Sequence, residues 1–147
     1  MIKISRKTGL PEIVQAKIQE IASTYKLSLI LLMGSYGTNF FRPPVSDIDV
    51  AYLAEHPLTT EEYLQLLADF AVFFEYPKID LIDLIKAPGL LKFEAVTKGT
   101  LLLEKKRGFF NEYYLYCIRY YYDTKKFREI TEQVFKTRLE EMLHGAK

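Results

Sequence analysis

The tightest constraint on this chain is the run Leu27-Ser28-Leu29-Ile30-Leu31-Leu32-Met33, which ends at Gly34-Ser35 and is followed one loop later by Ser46-Asp47-Ile48-Asp49-Val50. A short apolar run closed by a turn reads as a buried strand, and residues 45–53 read as its partner. Side chains alternate along a strand, so Asp47 and Asp49 share a face while Ile48 points into the core. Two neighbouring carboxylates repel each other and resist desolvation unless a cation lies between them. Hard divalent cations such as Mg²⁺ bind through one or two carboxylates plus substrate phosphate oxygens. A Gly-Ser turn beside such a pair offers backbone N–H groups and a hydroxyl to those phosphates. The combination points to a metal-dependent enzyme acting on nucleotides.

At 147 residues, 49% of them apolar, the chain is expected to be a single domain with its own core. The formal net charge of +1 advertises neither nucleic acid nor membrane as a partner. A lone cysteine, Cys117, excludes an internal disulfide framework and fits a reducing compartment. Residues 1–7 lack the apolar run of a signal peptide. The longest apolar run is far too short to span a bilayer. A cytoplasmic location is expected.

Along the chain, apolar residues at helical spacing predict a helix over residues 11–25, with Pro11 in its first turn. The paired prolines Pro43-Pro44 place residues 39–44 in a loop. Thr59-Thr60-Glu61-Glu62 matches a capping box and starts a second helix. Residues 78–85 read as a third strand, Pro88 opens a short helix that Gly99 stops, and residues 100–103 form a last, edge-type strand. Residues 109–143 read as two helices meeting near Asp123-Thr124. This order predicts an α/β core over residues 1–104 and a helical tail over residues 105–147. The core is expected to be a mixed sheet with its helices on one side.

A third acid is expected, because a two-metal site needs more ligands than one pair supplies. Asp80 and Asp83 are both available, and their odd spacing puts them on opposite sheet faces. Periodicity leaves that choice open. Arg42 is either a phosphate contact or a solvated loop charge, and Ser46 either joins the nucleotide site or bonds within its turn.

The arrangement resembles the minimal nucleotidyltransferases, the MNT family of the DNA polymerase β superfamily. The resemblance is carried by Gly34-Ser35, Ser46-Asp47-Ile48-Asp49 and Ile79-Asp80-Leu81-Ile82-Asp83-Leu84, and it extends through Lys98-Gly99-Thr100 to Tyr122-Asp123. Within the family the chain is most similar to antitoxins paired with HEPN-domain ribonuclease toxins. The resemblance implies a polymerase β-like α/β fold, a catalytic and metal-binding set of Asp47, Asp49 and Asp80 holding Mg²⁺, and nucleotide contacts from Gly34, Ser35, Ser46 and Arg42. It also implies ATP as substrate, transfer of AMP to a partner tyrosine, and a HEPN-domain toxin as partner, in a homo-oligomer or a hetero-oligomer. The loop of eleven residues, 36–46, is one residue longer than the family's usual spacing and carries the bulky Phe40-Phe41. Two other functions are open: an antitoxin that neutralises by binding alone, and a nucleotidyltransferase acting on a small molecule or RNA.

The tyrosines between residues 113 and 122 divide between two roles. Tyr113, Cys117, Tyr120 and Tyr121 recur at helical spacing and are expected to pack on the sheet, with Tyr116 and Tyr122 off that face. The alternative is a protein interface. His56 and His144 lack partners at metal-ligand spacing, so zinc is not expected.

Overall fold

The computed structural model describes residues 10–145, so the segment 1–7 read above for a leader lies outside the described residues. In chain order the elements are α1 (Glu12–Tyr25), β1 (Leu27–Met33), β2 (Ile48–Ala54), α2 (Thr60–Phe74), β3 (Ile79–Asp83), α3 (Gly89–Lys98), β4 (Thr100–Glu104), α4 (Phe109–Asp123) and α5 (Lys125–His144). The strands form one sheet in the order β3-β2-β1-β4. β1 runs antiparallel to β2 and to β4, whereas β2 and β3 are parallel. The sheet is therefore mixed, and β4 lies at an edge as its sequence suggests.

Local chemistry sets the helix limits. The Thr59 side chain accepts the Glu62 N–H at 3.1 Å, and Glu62 accepts the Thr59 N–H at 3.0 Å, which completes the capping box of α2. At the end of α3, a Cβ on Gly99 would fall 2.3 Å from the Ala95 carbonyl oxygen, so a bare backbone is needed to turn into β4.

The helices do not all lie on one side. Ile30, Leu32, Ile48, Val50 and Tyr52 pack with Ile18 and Ala22 of α1 and Leu66, Phe70 and Phe74 of α2. On the opposite face, Leu29, Leu31 and Ala51 pack with Ala95 and Val96 of α3 and Tyr113 and Cys117 of α4. The one-sided expectation is corrected for a reason visible in β1. Its apolar residues occupy both parities, and a strand without polar alternation is buried on both faces.

The helical tail divides in two. α4 seals the second core, while α5 contributes no buried residue. Of the tyrosine helix, Tyr113 is buried and Tyr121 stacks on Phe93 with centroids 4.4 Å apart, but Tyr114, Tyr116, Tyr120 and Tyr122 are 36–58% exposed. Core packing thus accounts for part of the aromatic excess only. The Tyr113 hydroxyl is sealed in the core without a full hydrogen bond, beside the weakly bonding Cys117 thiol, and burial pushes both groups' pKa values up. Tyr113→Phe is accordingly expected to be neutral or to stabilise the chain by up to about 1 kcal/mol in urea unfolding. A loss of about 2 kcal/mol would show that the phenol has a partner.

Candidate active site

The strand register gathers the acids. β1 sets Met33 opposite Asp49, and β3 sets Asp80 beside Asp49 in parallel register. Parallel neighbours lie about 4.8 Å apart with side chains on the same side. Asp47 precedes β2, which begins at Ile48 and not at residue 45 as expected, with its carboxylate close enough to Asp49 to act on it. The face of Asp49 and Asp80 is the one covered by α3 and α4, because Ala51 and Ile82 pack there. Asp47 and Asp80 are exposed and Asp49 is half-buried. Burial, then the Asp80 carboxylate, then the Asp47 carboxylate lift the Asp49 pKa above its ordinary value. Mutual repulsion of this kind is what a cation relieves.

Asp83 is excluded from this face. It lies with Ile79 and Leu81, its carboxylate accepts the Ile85 N–H at 2.9 Å, and it sits against the Tyr52 phenol. Register across the sheet therefore decides between Asp80 and Asp83, which parity alone leaves open.

Gly34 follows β1 with φ +68, and a Cβ built there would fall 2.2 Å from Asp49 Oδ2. The turn backbone and the Asp49 carboxylate are therefore in close approach, which only glycine permits. Ser35, half-buried, opens the next turn, where its carbonyl accepts the Thr38 N–H at 3.0 Å.

The loop that follows is ordered from within. The Arg42 carbonyl accepts the Val45 and Ser46 N–H groups, both at 2.9 Å, and the Arg42 N–H donates to Ser46 Oγ at 3.0 Å. The Arg42 guanidinium turns back to the carbonyls of Asn39 and Phe41. Ser46 and Arg42 thus bond within their own loop. The extra bulk in the loop is absorbed unequally: Phe41 packs edge-on to Tyr36 with centroids 5.0 Å apart, while Phe40 stays 78% exposed. Tyr76, which no sequence motif marks, donates its hydroxyl to the Ser46 carbonyl.

Among the described residues, no three His, Cys, Asp or Glu side chains are gathered closely enough to hold a metal ion. The chemistry of the donors still suits a hard divalent cation. The set is all oxygen, all anionic and beside a glycine turn. An ion held here would draw its remaining ligands from outside the chain, as Mg²⁺ does from substrate phosphates.

Neighbouring carboxylates that can hold divalent cations are the kind of donor set used in metal-assisted displacement at phosphorus. Residues 16–108 match the family model described as "Polymerase beta, Nucleotidyltransferase", and the chain belongs to that family. Among solved structures, a toxin–antitoxin complex with AMP-PNP contains a chain 27% identical to this one, covering 82% of this chain and 98% of its own length, with a TM-score of 0.65. A tri-AMPylated Shewanella oneidensis HEPN toxin in complex with MNT antitoxin gives 25% identity, 84% and 98% coverage and a TM-score of 0.60. The toxin–antitoxin MntA-HepT gives 25% identity, 85% and 99% coverage and a TM-score of 0.61. No match was found among curated proteins.

Proposed function

We propose that this nucleotidyltransferase moves AMP from ATP to a tyrosine hydroxyl of a HEPN ribonuclease toxin and so acts as its antitoxin. The observation that carries this reading is that Asp49 and Asp80 stand side by side on one sheet face, with Asp47 near Asp49 and Gly34 against it. It is supported by similarity to chains crystallised with AMP-PNP and with an AMPylated HEPN toxin.

In this reading the three aspartates hold divalent metal, with Mg²⁺ the natural choice for carboxylate and phosphate oxygens. When bound, the metal neutralises phosphate charge and lowers the pKa of the attacking hydroxyl. The Gly34-Ser35 turn and the Ser35 hydroxyl receive the outer phosphates, so that pyrophosphate leaves from a cradle already in place. Ser46 and Arg42 serve that cradle indirectly, by fixing the loop between the turn and Asp47.

A protein acceptor needs a surface to dock on, and the second half of the chain supplies one. α5 carries Phe127, Ile130, Val134, Phe135 and Leu139 with no residue buried. In proteins most helical stability comes from packing of an apolar face rather than from intrinsic propensity. The pair Phe127→Asp and Val134→Asp is expected to abolish co-purification with the HEPN toxin while leaving the unfolding midpoint unchanged. Retained binding would remove α5 from the interface.

The reaction is tested with α-labelled ATP, Mg²⁺ and the purified HEPN partner. Label is expected on the partner with wild-type chain and to vanish with Asp47→Asn plus Asp49→Asn. Absence of transfer, with the variant behaving like the wild type, rules out the enzymatic reading. One observation favours neutralisation by binding alone, namely that the acids lie near one another without closing on one point. That second reading requires Asp47→Asn to neutralise the toxin fully.

A further inference from the structure

We propose that Tyr76 is a positioning residue for the carboxylate cluster, fastening the segment that presents Asp47 to the segment that leads into Asp80. The inference rests on the reading that these acids hold the metal. Asp47 lies outside β2, on an exposed stretch with no strand partner of its own. Its direction is set by the two peptide groups that flank it. The preceding carbonyl, Ser46 C=O, accepts the Tyr76 hydroxyl. The following amide, Ile48 N–H, donates to the Lys78 carbonyl at 2.8 Å. Both flanking peptides are thus tied to the stretch between α2 and β3, which continues directly to Asp80.

Tyr76 is itself firmly held. It is 8% exposed, and its N–H donates to the Ala71 carbonyl at 3.0 Å where the left-handed Glu75 closes α2. Its ring packs on Phe41 with centroids 5.5 Å apart, and Phe41 leans on Tyr36, which meets Phe74 of α2 at 5.5 Å. The aromatic series runs from the loop to the first core, so the phenol oxygen approaches Ser46 from a rigid base. Loss of that bond leaves one flanking peptide of Asp47 unanchored. Displacements of about 1 Å at a reacting centre are enough to matter.

The test is a Mn²⁺ titration by electron paramagnetic resonance in the presence of AMP-PNP, with thermal unfolding run in parallel. Tyr76→Phe keeps the ring packing and removes only the hydroxyl. Tyr25→Phe is the control, since it removes a comparable phenol bond, to Asp69 Oδ2 at 2.5 Å, between α1 and α2 in the same core but away from the acids. The expected result is a rise of about ten-fold in half-saturating Mn²⁺ for Tyr76→Phe, the size typical of groups that orient metal ligands, and no change for Tyr25→Phe. The proposal is overturned if Tyr76→Phe stays within about two-fold of wild type, or if Tyr25→Phe weakens binding equally. If Asp47→Asn binds Mn²⁺ as well as the wild type, the metal reading itself fails and the positioning role falls with it.

Discussion

Asp49→Asn is expected to abolish nucleotidyl transfer while leaving the metal-free chain at least as stable as the wild type. The two effects share one cause. Asp49 is half-buried beside Asp80 and Asp47, and burial and both neighbours lift its pKa. In the folded chain its negative charge is therefore a local cost, which a bound cation would offset. Replacing the carboxylate with an amide of the same shape removes that repulsion and, on the proposed function, a metal ligand with it. Loss of metal-derived charge stabilisation amounts to several kcal/mol, or on the order of 10³-fold in rate. A linked pH effect follows. Because the folded chain binds the Asp49 proton more tightly than the unfolded chain, this group's contribution to stability rises as pH falls through the raised value. It levels off below the unfolded one. The Asp49→Asn chain lacks that rise. Label transfer and unfolding midpoints across acidic pH, without divalent metal, check both halves. A midpoint well below the wild type at neutral pH would show that Asp49 is a structural anchor.

Gly34→Ala is expected to lose about a hundred-fold in transfer with only a modest loss of stability. An L-residue at the φ of +68 found there costs about 1–2 kcal/mol. The added methyl would also meet Asp49 Oδ2 at 2.2 Å, and a carboxylate at the end of a side chain moves more readily than backbone. The strain is thus relieved by rotating the Asp49 carboxylate off its position, which damages the site more than the fold. Gly108 provides the comparison, since its φ is +91 but nothing lies within 4 Å of a Cβ built there. Gly108→Ala is expected to lose similar stability and keep full activity. Equal activity in the two variants would show that the turn and Asp49 are not in functional contact.

Much of the candidate site is legible before any coordinates. The Asp-x-Asp pair after the Gly-Ser turn marks the acids, although β2 begins only at Ile48, so alternation along the strand applies to Asp49 and not to Asp47. The capping box at Thr59 and the stop at Gly99 are equally local, since each depends on atoms a few residues apart. Docking geometry is harder to read. Helical spacing groups Tyr113, Tyr120 and Tyr121, yet Tyr113 is buried, Tyr121 stacks on Phe93 of α3 and Tyr120 is exposed, according to how α3 approaches. Tyr76 carries no local mark, because its partner Ser46 lies thirty residues earlier in the chain.

By itself the sequence determined the buried strand, the acid pair and the glycine turn that ends the strand before them. These follow from side-chain polarity and backbone sterics over a few residues. Only the tertiary structure decided that Asp80, and not Asp83, stands beside Asp49. Parity says that two residues face opposite ways, but the register between β2 and β3 says which of those ways is the site. The assignment of α1 and α2 to one face and of α3 and α4 to the other is tertiary in the same sense. Each amphipathic helix could cover either layer until the chain crossovers committed it.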